Sequence, residues 1–391
     1  MTTTTPQPRR RRRRVNDAAT KVGGSANLIA KVDGILGKRA RPSLPGMCLP
    51  HSLVDIGSSP VNMPVIVLRT VEPYNPNTRP VQFHHDADDR RAWSNNECPC
   101  GTGKLAGECH YHWPTGRWRL PAYRPLLTDP ITGYAHPSCY ASSTNDCSMK
   151  LSLEHPMSAG ILKNVGDGKM VEISNLHFQP ASSKPQRLPI RGLGSNILCE
   201  RHNRALSRLD RAGIQVQATL ERYQMAQIGG RDPHGSEFDL VSGEEFERWM
   251  LKMIWGYKAA GNAVPGNFKV PRERDMLMRY LFRDGLMPKG WGLYVGALTR
   301  SFAREFGVAV ETRAEVQQDT LLSTNVTLGA FTFTFAAGIM EAGNGARTWH
   351  RPSGVRMLSD FDSCRKVLAF GWDHASHAQA EYVDIQFRGN R

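Results

Sequence analysis

This sequence has no long hydrophobic run. Its longest weakly polar stretch, GAFTFTFAAGIM at 329–340, is much shorter than the roughly 20 apolar residues of a membrane-spanning helix. No apolar segment follows the arginines near the start, so a secretory signal peptide is not expected. We therefore expect a cytoplasmic protein without a membrane partner. In a reducing cytoplasm, its eight cysteines are more often metal ligands than disulfides.

Acidic residues are scarce in the first part of the chain. Residues 1–45 contain eleven lysines and arginines but only two acidic residues, and the whole chain carries a formal net charge of +14. Six of the arginines are consecutive: Arg9, Arg10, Arg11, Arg12, Arg13 and Arg14. Such a run repels itself, which predicts a basic and largely disordered arm over 1–40. The arm is expected to bind nucleic-acid phosphates, because each guanidinium can replace a condensed counterion. The alternative is a solvated tail that only aids solubility.

The sequence also contains no internal repeat and no phosphate-binding loop of the form GxxxxGK[ST]. Its length of 391 residues and its hydrophobic content of 40% are sufficient for a multi-domain α+β protein with packed cores. Residues 41–92 are rich in proline and valine and predict a linker or a small β region. Residues 236–391 predict an α+β domain with a mainly antiparallel sheet, because helical patterns over 243–261 and 271–284 precede several short apolar strands. The first of these helices is amphipathic, and its predicted apolar face consists of Phe246, Trp249, Met250, Met253 and Ile254.

A compact cysteine and histidine cluster lies within 93–114. Cys98, Cys100, Cys109 and His110 follow the spacing C-x-C-x8-C-H, and four such ligands suit a tetrahedral zinc ion. The stretch NNECPCGTGKLAGECH resembles the SEC-C zinc-binding motif through its Cys-Pro-Cys-Gly-Thr-Gly-Lys core and its final Cys-His. The resemblance implies a small closed zinc module that contacts proteins or nucleic acid. It implies no catalysis, because four protein ligands leave the zinc ion without an open position.

A second set of metal-ligand residues is divided between two parts of the chain. Cys139 and Cys147 come first, and Cys199 and His202 follow at the start of a helical pattern that continues to about residue 228. Positions three residues apart share one face of a helix. Cys199 and His202 can therefore hold one ion together with the first two cysteines.

Three further polar residues accompany these ligands. The alternation in MKLSLEH predicts a strand that ends in Glu154 and His155, and Asn203 follows His202 in the first turn of the helix. Asn203 is therefore expected to point toward the strand that carries His155. This order resembles that of the HNH, or ββα-metal, nucleases, and most closely the subgroup with an acid–His pair on the hairpin and Cys-x-x-Cys-Asn at the helix. We interpret 136–228 as an HNH-like module with a trailing helix.

The resemblance implies two metal ions with separate roles, and the first is structural. A zinc ion held by Cys139, Cys147, Cys199 and His202 would join the hairpin to the helix. His136 is an alternative to Cys139 as a ligand, because the first cysteine pair has the spacing C-x7-C instead of the usual C-x2-C.

The second implied ion is catalytic. Mg²⁺ or Mn²⁺ would lie between hairpin and helix, with Asn203 and Glu154 as ligands, and would polarise the scissile phosphate. His155 would act as the general base that deprotonates a water molecule, a role that suits a pKa near neutrality. By analogy with this family, we expect a protein encoded by a bacterium or a phage.

Together these patterns predict a metal-dependent DNA endonuclease of the HNH type, a hydrolase that acts on phosphodiester bonds. They do not distinguish DNA from RNA as the substrate. Two alternatives stay open. One is a zinc-stapled nucleic-acid-binding protein without catalysis. The other is an adaptor that binds a partner protein through the SEC-C-like module.

Overall fold

The structure is a computed structural model that describes part of the chain. All described residues belong to the larger of two compact units, Asp55–Arg391. The basic arm predicted over 1–40, with its six arginines, and nearly all of 41–92 lie outside the described residues. The described residues are 66–67, 95–98, 103–109, 111–112, 117–118, 125–174, 184–228, 237–261, 274–283, 285–296, 307–315, 320–338, 348–359, 365–372 and 382–387.

The described chain is a mixture of helices and strands, as the predicted α+β class requires. Its helices are α1 (Ala106–Cys109), α2 (Ala159–Val165), α3 (Glu200–Ala205), α4 (Ser207–Ile228), α5 (Gly243–Ala259) and α6 (Arg274–Phe282). Its first eight strands are β1 (Ile66–Val67), β2 (Tyr111–His112), β3 (Arg117–Trp118), β4 (Leu151–Glu154), β5 (Met170–Ile173), β6 (Gln186–Pro189), β7 (Ser195–Cys199) and β8 (Glu237–Ser242). The other strands are β9 (Gly292–Gly296), β10 (Val308–Glu315), β11 (Thr320–Leu328), β12 (Phe331–Ala336), β13 (Thr348–His350), β14 (Gly354–Ser359), β15 (Arg365–Gly371) and β16 (Tyr382–Phe387).

Two larger sheets form the C-terminal part of the fold. The first has six antiparallel strands in the order β1-β10-β11-β12-β9-β13. The second has four strands in the order β16-β14-β15-β8, and its β14–β16 and β15–β8 pairs are parallel. The predicted, mainly antiparallel arrangement thus describes the whole first sheet and the β14–β15 pair of the second, but not the two outer pairs of the second. Parallel neighbours need long crossover connections, and β8 and β15 are separated in the chain by α5, α6, the strands β9 to β13 of the six-stranded sheet, and β14.

Helix α5 is the centre of the core. The apolar face predicted for it is buried, and Phe246 from this face contacts both large sheets. Its ring lies 5.0 Å from that of Phe333 in β12 and 5.8 Å from that of Phe370 in β15, measured between centroids. The helix is buried around most of its circumference, which is typical of a helix enclosed by a core rather than laid on its surface.

Helix α4 packs closely against α5. Gly213 allows this approach, because a Cβ atom at that position would lie 2.4 Å from the indole of Trp249. One continuous hydrophobic core includes residues from α4, α5 and both large sheets. The segments 136–228 and 236–391 therefore share buried surface, and the C-terminal part directly supports the elements around the predicted site.

The SEC-C-like segment packs on the four-stranded sheet. Cys98 and Tyr111 are buried in one hydrophobic cluster with Leu240 of β8 and Val367 of β15, and the half-buried Cys109 packs against that cluster. The other two ligands predicted for this zinc ion, Cys100 and His110, lie outside the described residues. A module this small cannot form a core of its own, so it shares that of the neighbouring sheet.

Candidate metal centre and active site

A strand pair and a short helix form the frame of the predicted site. Strand β4 pairs antiparallel with β7, so that Leu151 lies opposite Cys199 and Glu154 opposite Ser195. Helix α3 begins directly after β7 and contacts both strands. The described part of the connection between β4 and β7 contains α2 and the β5–β6 hairpin. The order strand, strand, helix is thus present, with an inserted segment between the two strands.

Four predicted ligands meet at the junction of β7 and α3. Cys139, Cys147, Cys199 and His202 are all buried, and their ligand atoms all lie within 4.8 Å of one another. The His202 Nδ1 atom is 3.1 Å from the sulfur of Cys199, 3.7 Å from that of Cys139 and 3.8 Å from that of Cys147. Three sulfur atoms and one imidazole nitrogen at such separations can bind a metal ion such as zinc.

The hydrogen bonds of His202 select the tautomer that can bind a metal. Its Nε2 atom lies 3.0 Å from the hydroxyl oxygen of Thr144, and that hydroxyl donates to the carbonyl of Ala141 at 2.8 Å. The hydroxyl therefore accepts from Nε2–H, and the unprotonated Nδ1 faces the three sulfur atoms. Residues that orient a ligating histidine in this way tune metal affinity. The sequence pattern did not identify Thr144.

The three thiols do not ionise equally. Hydrogen bonding with Cys139, supported by His202 and by the backbone N–H of Ser148, lowers the pKa of Cys199. The same bond to Cys199 raises the pKa of Cys139, and burial raises the pKa of Cys147. Full deprotonation of this buried group therefore requires a compensating positive charge. A bound metal ion supplies that charge and binds the thiolate form.

His136, the alternative ligand, contributes differently. Its ring nitrogen Nδ1 accepts a hydrogen bond from the backbone N–H of Ser138 at 3.1 Å, and it is not one of the four clustered residues. Its backbone donates a hydrogen bond to Cys147, which lowers the pKa of that thiol against the larger effect of burial. Within the described part of the chain, Cys139 and not His136 therefore belongs to the group that could hold a metal ion, and the backbone of His136 supports Cys147.

The loop that carries Cys147 is held by charges. Asp146 is fully buried and forms an ion pair with Arg201 of α3 at 2.9 Å and another with Arg283, which follows α6. Phe282 of α6 packs edge-on against His202, with 4.6 Å between ring centroids. These contacts fix the cysteine loop, α3 and the end of α6 relative to one another.

His155 directly follows β4 and is half-buried. Its Nε2 atom lies 3.1 Å from the carbonyl oxygen of Ile190 in the inserted segment. A carbonyl only accepts hydrogen bonds, so Nε2 carries the proton and Nδ1 is the unprotonated nitrogen of the neutral ring. Burial lowers the pKa of His155. The residue is thus a neutral, oriented imidazole at neutral pH, which is the state that a general base requires.

Asn203 points toward the strand that carries His155, as predicted. Its Nδ2 atom donates to the hydroxyl of Ser152 at 2.9 Å and to the carbonyl of Leu153 at 3.0 Å. The contacted carbonyl belongs to Leu153, two residues before His155. Because a carbonyl only accepts hydrogen bonds, the side of the amide that faces it is the nitrogen. The other side of the amide is an oxygen, which is the type of ligand that hard divalent ions prefer.

Glu154, predicted as a ligand of the second ion, has a different partner. Its side chain is buried, and its Oε1 atom lies 2.5 Å from Nζ of Lys252 in α5. Burial raises the pKa of Glu154, although Lys252 opposes this effect. The carboxylate is thus part of a buried ion pair. This pairing occupies the carboxylate that the sequence predicted as a ligand of a second ion.

Lys252 is the main residue near the site that the sequence pattern did not identify. Besides Glu154, its ammonium group contacts the backbone carbonyl of His155 at 2.7 Å and Asp210 of α4 at 2.9 Å. Ser158, which donates to Asp210, accepts a hydrogen bond from the indole of Trp249 at 2.8 Å. A lysine in an amphipathic helix normally indicates a solvated face, so the pattern contained no signal for this buried position.

Among the described residues, no helix combines the length and apolarity needed to cross a membrane. Comparison with protein-family models, curated proteins and solved structures finds no match for this chain. The arrangement of the site is therefore the basis for an assignment of function.

Proposed function

We propose that this protein is a metal-dependent DNA endonuclease of the HNH type. The observation that carries the proposal is the position of His155, which directly follows β4 and has Nδ1 as its unprotonated nitrogen. The neighbouring helix α3, which begins at the metal-binding group, provides Asn203. The base thus follows β4, the amide oxygen lies on α3, and the metal-binding group joins these two elements. This is the arrangement of base and metal ligand that is expected for nucleases of the HNH type.

The Cys139, Cys147, Cys199 and His202 group would hold a structural zinc ion. With four protein ligands, the ion has no open position for water or substrate, so its role is to fix α3 against the cysteine loop. This fixation matters for catalysis because Asn203 lies one residue after a ligand. A loosened helix would displace Asn203 from β4, and misplacements of about 1 Å can cost 10²-fold in rate.

His155 would take a proton from the water that attacks the scissile phosphorus. The Ile190 carbonyl orients the ring through Nε2–H, so Nδ1 is the atom that receives the proton. The lowered pKa keeps this atom unprotonated at neutral pH. Lys252 donates a hydrogen bond to the backbone carbonyl of His155, which restricts movement of the base.

Asn203 would provide an oxygen ligand for Mg²⁺ or Mn²⁺. When bound, such an ion polarises the scissile phosphate and stabilises the leaving 3′ oxygen. Because Glu154 is paired with Lys252, we assign one side chain to this ion. Magnesium ions commonly retain several water ligands and bind substrate phosphates, so a site with few protein ligands suits them.

A non-catalytic, zinc-stapled nucleic-acid-binding protein is the second candidate. The observation that favours it is the ion pair of Glu154, which removes the only carboxylate predicted for the catalytic ion. The adaptor hypothesis for the SEC-C-like module has less support, since the described part of that module packs on the four-stranded sheet of its own chain.

Plasmid nicking in Mg²⁺ or Mn²⁺ distinguishes these candidates. The variants are His155→Ala and, as a matched control, His350→Ala. His350 is also half-buried, donates from Nε2 to a backbone carbonyl (Trp291, 3.0 Å) and has a pKa lowered by burial. Zinc content is measured first and must be equal in all three proteins.

We expect nicking by the wild type and by His350→Ala, and its loss in His155→Ala. Equal nicking by both variants would remove His155 from the mechanism. If none of the proteins nicks DNA but all retard it at low salt, the binding protein replaces the endonuclease as the conclusion.

A further inference from the structure

A cleft lined by both apolar and charged side chains runs along α3 and the start of α4. It has a volume of about 750 Å³ and lies between these helices and the segment 126–132. The helical side contributes four arginines at spacings of three and four residues, which place them on one face: Arg201, Arg204, Arg208 and Arg211. Two carboxylates, Asp129 and Glu200, also line the cleft, so its lining carries an excess of positive charge.

Two of these arginines are neutralised within the protein. Arg201 forms an ion pair with the buried Asp146 at 2.9 Å, and Arg208 forms one with Glu245 at 2.5 Å. Arg204 and Arg211 are exposed, and within the described part of the chain neither has a carboxylate oxygen within 4.0 Å. The paired arginines therefore shape the cleft, while the other two present guanidinium groups to a ligand.

The helix keeps these two guanidinium groups at a fixed separation. Leu206, between α3 and α4, is helical: its N–H donates to the carbonyls of His202 and Asn203, and its carbonyl accepts from the N–H of Asp210. The chain therefore rises about 1.5 Å per residue, which places Arg204 and Arg211 about 10 Å apart along the axis. One strand of B-DNA rises about 3.4 Å per nucleotide, so this distance corresponds to about three nucleotide steps along the duplex axis.

We propose that this cleft binds the phosphodiester backbone of double-stranded DNA, with Arg204 and Arg211 as direct phosphate ligands. Guanidinium groups suit this role because they stay charged and bind phosphate oxygens in pairs. Arg204 lies one residue after Asn203, so a backbone held here is also positioned relative to the proposed catalytic residues. The inference rests on the proposed function for the identity of the polyanion, but it concerns binding and not cleavage.

The test is binding of a labelled 25-base-pair DNA duplex by fluorescence anisotropy at about 50–200 mM salt. All proteins are full-length and carry glutamine at positions 9–14, since the six arginines of the arm would otherwise dominate the salt dependence. Arg204→Gln/Arg211→Gln is compared with Lys169→Gln/Lys184→Gln. The control removes the same formal charge from exposed positions outside the cleft. Zinc content and circular dichroism confirm that each variant is folded.

We expect the arginine variant to bind roughly 10–100-fold more weakly at about 50 mM salt. The slope of log K against log salt should fall in magnitude by about 1.8, which corresponds to about 0.9 for each lost phosphate contact. The lysine control should retain the slope of its parent.

Equal behaviour of the two variants, whether both bind like the parent or both lose affinity, would overturn the proposal. If the arginine variant lost affinity for duplex RNA but not for duplex DNA, the assignment to DNA would be overturned. Plasmid nicking is measured separately on the wild type. If the slope changes as expected and the wild type does not nick DNA, the cleft proposal stands and the endonuclease proposal fails.

Discussion

The ammonium group of Lys252 lies 2.5 Å from the carboxylate of Glu154, and both side chains are buried. The pair connects α5 to the end of β4, immediately before His155. The same ammonium donates to Asp210 and to the backbone carbonyls of His155 and Pro156. Burial lowers the pKa of Lys252, but Glu154 and Asp210 outweigh it and raise the pKa overall. The lysine therefore remains charged and holds α5, α4 and the end of β4 together.

Loss of this lysine should destabilise the protein strongly. We expect Lys252→Met to reduce the free energy of unfolding by about 3–5 kcal/mol, because Glu154 is left buried without a partner. The double variant Lys252→Met/Glu154→Gln should recover part of this loss, since the unpaired charge is removed. Urea unfolding at neutral pH measures both. Lys163→Met, at an exposed position of α2, is the control and should change stability by less than about 0.5 kcal/mol. Additive losses in the double variant would contradict the pairing.

Thr144 should set the affinity of the buried cluster for metal. We expect Thr144→Val to weaken zinc binding roughly 10–100-fold, because the histidine ligand loses the acceptor that orients its ring. Thr144→Ser retains the hydroxyl group and should bind zinc like the wild type. Competition with a chromogenic chelator at constant pH measures the affinity. Unchanged zinc affinity in Thr144→Val, which keeps the methyl group and lacks only the hydroxyl, would contradict this role of the hydroxyl.

The two histidines near the cysteines should differ in metal stoichiometry. His202→Ala should lose one zinc ion per chain, because Nδ1 completes the group of four ligands. His136→Ala should keep that ion, since its support for Cys147 comes from the backbone, which alanine retains. Elemental analysis of dialysed protein gives the stoichiometry. Loss of an ion from both variants would restore the alternative ligand set, in which His136 replaces Cys139 and His202 remains a ligand.

The ligand set of the buried cluster could be predicted from the sequence because its ligands lie in two short stretches of the chain. Cys199 and His202 share the first turn of a helix, and the two other cysteines precede the strand that pairs beside it. Cysteine and histidine residues grouped in this way also have few functions other than metal binding. The direction of Asn203 followed from the same helix geometry, and the buried face of α5 followed from its periodicity.

The role of Glu154 could not be predicted in the same way. Its partner Lys252 lies in another helix, and the contact of that lysine with His155 spans 97 residues of sequence. Nothing in an amphipathic pattern distinguishes a buried lysine from an exposed one. The parallel pairing of β8 with β15 is likewise set by long-range packing around α5 and not by the local strand pattern.

The pH dependence of nicking should report the environment of His155. Burial lowers its pKa below the usual value of about 6.5, so the neutral, proton-accepting form already predominates at that pH. We expect the rate to rise with pH in the acidic range and to reach a plateau below about pH 6.5.

The lowered pKa of His155 also means that the unfolded chain binds this proton more tightly than the folded chain does. The contribution of His155 to stability is therefore complete above about pH 6.5 and decreases as the pH falls through the lowered pKa.

Nicking rates are measured from about pH 5 to 8 at saturating Mg²⁺, with zinc content determined at each pH because thiol protonation also releases metal. His350→Ala should show the wild-type profile, since its imidazole lies in β13 and not beside β4. A rate that continues to increase tenfold per pH unit above pH 7 would mean that the proton acceptor is not the imidazole of His155. Solvent hydroxide or another group with a higher pKa would then generate the nucleophile, and His155 would retain only a structural role.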